Sequence, residues 1–459
     1  MSALGELGRY IGDSGAPADE LRELAELHLI DTVGALIAST RTPEGLRLLR
    51  LRAGRREFAD ASDALALDLA TRCALARASE IDDIHLPSMI TPGAIIIPGA
   101  LTLAAAMPEP AAQEVTAHDL TAAMLAGYEA MTRLGLVIDG PTILYRGIWP
   151  TYFAAPFGIA AVAARLFKLD ARQCANALAL ALTLAAPGVG HHNAQSTSRW
   201  LAVGTAAGNG LAAALAAQAG FTSDLELMEG KFFSGIYAIT PDVEALTDGL
   251  EGGLALRETS FKPWCAARQT MAATQALREI LQAGMRPQEI ERIEAFVLPP
   301  HLAMIDHGVR SGDRASHLTS VQYCMAVAAL AENMTADVGQ SPVALLPPIR
   351  DFMGKIKVAA DESLLADYPH IWPARVVVAA GAARHERLVK HVPGDPGRLF
   401  GRADVREKFS RFVGPVLGPQ TTAQMLALAG DAIARGTFRS LVAEIEAVCR
   451  NALARAAPA

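Results

Sequence analysis

Apolar positions recur at helical spacing over most of the chain and alternate as strands do only in its later part. Residues 18–40 carry Leu21, Leu24, Ala25, Leu27, Ile30, Val33, Leu36 and Ile37 on one face, interrupted by Asp31 and by Gly34, a position suited to close helix contact. A second helix is predicted over 62–80 and an apolar third over 94–106, with Pro92-Gly93 breaking the chain between them. Helices follow over 117–135, 154–167, 171–186 and 201–219, the last so rich in Ala and Gly that it is expected to be buried and close-packed. Glu129 and Arg133 stand four apart on the first of these and read as a structural pair. The stretch 139–153 reads as a loop from its Gly and Pro content.

Around residue 262 the pattern changes. A helix runs from there to about 283, and strands are expected at 289–298, 354–360, 374–380 and 383–390, the last two a hairpin around Gly381. Helices at 317–334 and 341–353 lie between the strands, and the chain returns to helices at 402–412, 419–435 and 437–455. The fold expected is mainly α: a large all-α helical domain from 1–262 and 395–459, and a smaller α+β domain from 263–394. A length of 459 residues agrees with two cores rather than one.

Composition narrows the function. Hydrophobic residues make up 51% and charged residues only 19%, so much of the chain is buried, partly at a subunit interface. The net charge of −7 gives no basic face for nucleic acid, and an anionic substrate needs local Arg and Lys instead. Five scattered cysteines (73, 174, 265, 324 and 449) form no C-x-x-C, which indicates reduced thiols and no zinc ribbon or iron–sulfur cluster. No signal-peptide pattern or membrane span is read, so a cytoplasmic protein without membrane contact is expected. No dinucleotide fingerprint, P-loop, H-E-x-x-H or G-x-S-x-G occurs, and no cofactor is assigned.

One stretch carries the densest chemistry. Residues 78–93 place Glu80, Asp82, Asp83 and His85 within six positions, directly after an apolar helix and before a Pro-Gly stop. Burying an unpaired carboxylate costs several kcal/mol or a large pKa shift. The cluster therefore reads as catalytic or substrate-binding rather than as a solvated helix end. Asp82, Asp83 and His85 suit Mg²⁺ or Zn²⁺, but no fixed ligand spacing demands a metal and none is assigned. Tyr145, Arg146 and Trp149 are large side chains in a loop, fit to line a pocket. His191 and His192 stand in a polar loop between apolar helices; adjacent histidines diverge, so an acid–base role for one suits them better than joint metal binding. Lys262, Arg268 and Gln269 surround a helix start where a carboxylate can bind.

The order of these segments resembles the MmgE/PrpD family, which contains 2-methylcitrate dehydratases, cis-aconitate decarboxylases and an iminodisuccinate epimerase. The resemblance covers nearly the whole chain. It runs through Asp31-Thr-Val-Gly34, Ile81-Asp82-Asp83, Gly147-Ile-Trp-Pro-Thr151 and Arg199-Trp-Leu-Ala-Val-Gly204, then Gly220-Phe-Thr, Leu227-Met-Glu-Gly230, Phe261-Lys262 with Cys265, and Ser320-Val-Gln-Tyr323. It implies an all-α domain with an α+β lid domain, a homodimer, and a cofactor-free active site between the domains. The implied chemistry is proton abstraction beside a carboxylate of a di- or tricarboxylate. By position, Lys262 matches the family's active-site lysine, Tyr323 its tyrosine, and Asp82 and Asp83 its paired acids. Other positions depart. Glu80 stands for an aspartate, Ile84 for a threonine, Trp149 for the histidine of Phe-His-Pro-Thr and Arg199 for a lysine, and Ile90 or Thr91 stands where a loop histidine is usual. The resemblance therefore carries the reaction class and leaves the substrate open.

Such a reaction needs a base near neutral pH and cations to hold an enediolate. Lys262 and Arg199 are the cationic candidates, with Arg268 in support. His85, His191, His192 or a carboxylate of the 80–83 cluster supplies the base, and Tyr145 or Tyr323 a proton; Glu80, Trp149 and Gln269 are expected against the substrate. A lyase is the first reading and an epimerase the second. A non-catalytic scaffold is the third, and it would leave Lys262, Arg199 and Asp83 apart on the surface.

Overall fold

A computed structural model describes the chain except residues 1, 14, 16, 59, 108–114, 187–195, 253, 311–312, 340–344 and 457–459, and the side chains of 61, 62, 251, 254 and 336. The described residues divide into two compact units: one from residues up to 186, 196–259 and 401 onward, the other Ser260–Phe400.

The first unit is helical. It comprises α1 (Ala3–Asp13), α2 (Asp19–Ser39), α3 (Pro43–Arg56), α4 (Ala61–Ala78), a two-residue strand β1 (Ile84–His85), α5 (Gly93–Ala106), α6 (Ala117–Val137), α7 (Gly140–Leu144), α8 (Pro150–Leu166), α9 (Ala171–Thr183), α10 (Ser198–Gln218) and α11 (Leu254–Arg257). The short β2 (Thr259–Ser260) leads into the second unit, and α17 (Arg402–Leu417), α18 (Pro419–Ala434) and α19 (Phe438–Arg455) return to the first. Its centre is α6 on α8, α8 on α10, α10 on α4 and α4 on α5. Small residues make those approaches possible. A Cβ at Gly204 of α10 would fall 2.6 Å from the Ala70 carbonyl of α4, so the two backbones nearly touch there. That contact brings the start of α10 beside the end of α4. By length and composition alone α10 is apolar enough to cross a membrane, but 56% of its apolar window is buried inside the structure, as in a core helix.

The second unit contains α12 (Arg268–Gln282), β3 (Arg292–Val297), α13 (Pro299–Ile305), α14 (Arg314–Thr319), α15 (Val321–Leu330), α16 (Pro347–Met353), β4 (Ile356–Ala360), β5 (Ala374–Ala380) and β6 (Ala383–Val389). The strands form one sheet in the order β4-β3-β5-β6, with β3 parallel to β4 and the other pairs antiparallel. β5 buries Val376, Val377 and Val378, whereas the edge strand β6 exposes Arg384, His385, Glu386 and Arg387. Charge on an unpaired edge opposes pairing with another chain.

The mainly α class, with a small sheet in the later part, is as expected. Several boundaries differ. The 139–153 stretch holds α7 and the start of α8, because Trp149 is the N-cap and Pro150 the first helical residue. Residues 261–267 are not helical; that helix begins at Arg268. The single helix expected over 317–334 is two, broken at Ser320, whose hydroxyl accepts from Tyr323 N at 3.3 Å.

Candidate functional site

The acidic segment hangs on a buried polar network in the first unit. Asp83 is wholly buried. Its Oδ1 accepts from Gly93 N at 2.7 Å, at the start of α5. Its Oδ2 accepts from Tyr128 Oη at 2.7 Å and from His28 Nδ1 at 2.8 Å. Burial and then the Asp83 charge push the Tyr128 phenol well up, so it stays a proton donor. A Cβ at Gly93 would fall 2.5 Å from Asp83 Oδ2, which leaves no room there for a side chain. Beside this network Lys408 Nζ lies 2.6 Å from Asp31 Oδ1 and donates to the Ile81 carbonyl at 2.7 Å. Burial drives the Asp31 carboxyl up and the Lys408 amine down, and their mutual attraction offsets part of each shift. Asp83 thus holds the segment in place rather than facing a ligand, and the reading of Asp83 as catalytic is replaced by a positioning one.

Glu80 and Asp82 stand differently. Ser79 closes α4 with its hydroxyl on the Ala76 carbonyl at 2.7 Å, and Glu80 then adopts a left-handed backbone, φ 59°. A non-glycine residue there carries strain of order 1 kcal/mol, a cost often met at functional sites. Arg77 Nη1 lies 3.1 Å from Glu80 Oε1 and 3.3 Å from Asp82 Oδ1. Burial alone would lower the Arg77 pKa, but the Asp82 and Glu80 charges more than reverse that, so it stays a cation.

Around this triplet gathers a cationic and aromatic group. The Arg77 guanidinium sits 5.8 Å from the centre of the Trp200 ring. Arg199 sits 4.9 Å from the same ring and 5.5 Å from that of Trp149. Trp149 stacks on Tyr152 with centroids 5.4 Å apart. The Tyr152 phenol feels Arg77, Arg199, Glu80 and Asp82 together; burial pushes it up to about 12, with the two arginines pulling the other way. The Tyr152 hydroxyl and Arg199 Nε are buried and have no hydrogen-bond partner among the described residues.

The structure therefore groups Glu80, Asp82, Arg199 and Trp149, and adds Arg77, Tyr152 and Trp200, which the sequence reading did not single out. The signals for those were present but faint: Arg77 is three before Glu80, Tyr152 three after Trp149, and Trp200 next to Arg199. His85 lies apart from these pairs: Nδ1 is 2.8 Å from Ser88 Oγ and Nε2 is 3.3 Å from Glu258 Oε2, so both ring nitrogens are engaged and its reading as the base loses support. Tyr145 is half-buried at the C-cap of α7. His191 and His192 lie outside the described residues. Among the described residues no three His, Cys, Asp or Glu side chains gather as metal ligands.

The second unit holds the other candidates. Lys262 is 2% exposed, in a segment fixed where Phe261 N donates to the Gly394 carbonyl at 2.9 Å. Tyr323 meets His317 edge-on with ring centres 4.9 Å apart, and burial pushes its phenol up to about 12. Gln269 is buried in the first turn of α12. Arg268 Nη2 pairs with Asp395 Oδ2 at 2.6 Å in the interior, and its guanidinium lies 5.8 Å from the Trp372 ring centre. Asp395 Oδ2 also accepts from Val392 N at 2.7 Å. Through Nη2, Arg268 ties α12 to the 392–395 turn, while its Nε and Nη1 are buried without a hydrogen-bond partner among the described residues.

Comparison with known proteins gives two family matches. The profile of the MmgE/PrpD N-terminal domain matches residues 7–245, and that of the MmgE/PrpD C-terminal domain matches residues 264–431. No curated protein matches the chain.

Proposed function

The chain belongs to the MmgE/PrpD family, and from that premise we propose that it is a lyase acting on a di- or tricarboxylate without a cofactor. The family is dehydratase- or lyase-like. The observation that carries the reading is the buried group of Arg77, Glu80, Asp82, Tyr152 and Arg199, which joins carboxylates, cations and a protonated phenol. A scaffold would leave Lys262, Arg199 and Asp83 apart on the surface, and all three are buried.

In this reading a carboxylate of the pair Glu80 and Asp82 takes the proton α to a substrate carboxylate. The electron pair forms an enediolate, which a cation stabilises, with Lys262 the candidate from the sequence. The C–O bond to a β-hydroxyl then breaks, the oxygen leaves as water after gaining a proton, and a C=C bond remains. Loss of CO₂ from a β-carboxylate reaches the same kind of carbanion, which takes up a proton instead. Removing one charge-stabilising group from such a site costs about a hundredfold or more in rate.

The test is ultraviolet absorbance of a conjugated unsaturated carboxylate, with citrate, 2-methylcitrate and malate as substrates. Turnover by the wild type that falls at least about a hundredfold in Glu80→Gln and in Lys262→Ala supports the proposal. Turnover unchanged in both variants refutes the assignment.

A further inference from the structure

Arg199 is nine-tenths buried, yet what meets it among the described residues are the ring faces of Trp149 and Trp200. Its neighbour Arg77 has two carboxylates. A cation taken from water without a carboxylate beside it is costly, and an anion brought from outside removes that cost. The same place holds a second unspent group. Tyr152 is 2% exposed, its hydroxyl has no hydrogen-bond partner among the described residues, and Arg199 acts on it electrostatically. A buried hydroxyl is normally paired, and an orphan calls for an explanation. Its ring is fixed by the stack on Trp149, so the hydroxyl is held rather than free to turn to water.

We propose that Tyr152 and Arg199 form a carboxylate-binding subsite, with the phenol donating one hydrogen bond to a substrate carboxylate that the guanidinium also holds. Arg77 cannot take this part because Glu80 and Asp82 occupy it. The carboxylate bound here is the one that does not react, so Tyr152 sets which acids are held. The inference deepens the lyase reading, but it concerns binding and stands or falls separately.

The test is equilibrium binding of citrate and of propane-1,2,3-tricarboxylate, which has no hydroxyl to eliminate. It is followed by calorimetry and by tryptophan fluorescence, because Trp149 and Trp200 border the subsite. Tyr152→Phe keeps the ring stack and removes only the donor. It is expected to weaken binding of both acids by roughly ten- to a hundredfold, the effect of a hydrogen bond to a charged acceptor. The urea midpoint should not fall, since no internal hydrogen bond is lost. Arg199→Gln is expected to abolish binding, and Arg199→Lys to restore part of it. Equal binding by wild type and Tyr152→Phe overturns the proposal, as does absence of millimolar binding of either acid to the wild type. Tyr152-dependent binding without turnover keeps the subsite and removes the lyase reading. Turnover with a KM untouched by Tyr152→Phe does the reverse.

Discussion

Lys408→Met tests whether the acidic segment is held from beneath. Lys408 reaches Asp31 at 2.6 Å and the Ile81 carbonyl at 2.7 Å, and its side chain is 2% exposed. Removing one member of a buried ion pair costs about 3–5 kcal/mol, because the other charge stays buried alone. Losing the donor to the Ile81 carbonyl adds about 1 kcal/mol, not fully independent of the first loss. A loss of about 4 kcal/mol is a large part of the roughly 5–15 kcal/mol typical of a folded chain. The double variant Asp31→Leu/Lys408→Met removes the stranded charge and should recover most of the loss. The deficit also depends on pH. Burial already raises the Asp31 pKa, and without Lys408 it rises further. A carboxyl whose folded pKa is raised loses stability as pH climbs through its unfolded value. The single variant is therefore expected to be closest to the wild type at acid pH and to fall behind as pH increases past 4, an unfolded carboxyl's range of about 3.9. Urea denaturation followed by circular dichroism at pH 4, 6 and 8 measures this. A deficit under about 1 kcal/mol, or one that the Asp31 substitution does not relieve, refutes the argument.

Further outcomes follow from the same geometry. Tyr128→Phe removes one of three donors to Asp83 and should lower stability by about 1.5–3 kcal/mol, with the urea midpoint as readout. Glu80→Gly relieves a left-handed backbone while losing the Arg77 pair, so stability should change by less than about 1 kcal/mol while turnover falls. A large loss of stability with turnover intact would make Glu80 structural. The homodimer expected from the family resemblance is tested on α10, where Leu201, Thr205, Ala212 and Leu215 are exposed at alternating spacings of four, seven and three. Leu201→Glu with Leu215→Glu should convert a dimer to a monomer in light scattering, and an unchanged mass would clear this face of that role.

Much of the fold was legible because a helical period in an alanine-rich chain has few competing readings. The exceptions have physical causes. Helix α3 received no assignment from the sequence, since its buried face is only Gly45, Leu48, Leu49 and Arg52 among exposed arginines. The start of α8 was hidden in a Gly- and Pro-rich stretch, because Pro150 opens that helix instead of breaking it. In the site, the sequence marked Glu80, Asp82 and Asp83 alike. Only three dimensions separate Asp83, with three internal donors, from the two acids on Arg77. Arg77 itself looked like an ordinary basic residue in the last turn of a helix. Arg268 looked like an anion ligand at a helix start, but its partner Asp395 is 127 residues away and no local pattern announces it.

Proton NMR in D₂O, with citrate, 2-methylcitrate, cis-aconitate, malate, iminodisuccinate and tartrate, addresses carbanion formation itself. Deuterium is expected to enter a carbon α to a carboxylate of at least one acid, to be lost in Lys262→Ala and in Glu80→Gln, and to accompany an unsaturated or decarboxylated product. Exchange with only an inverted product would make the enzyme an epimerase. No exchange with any of the six acids, from a folded protein that binds them, would contradict the account.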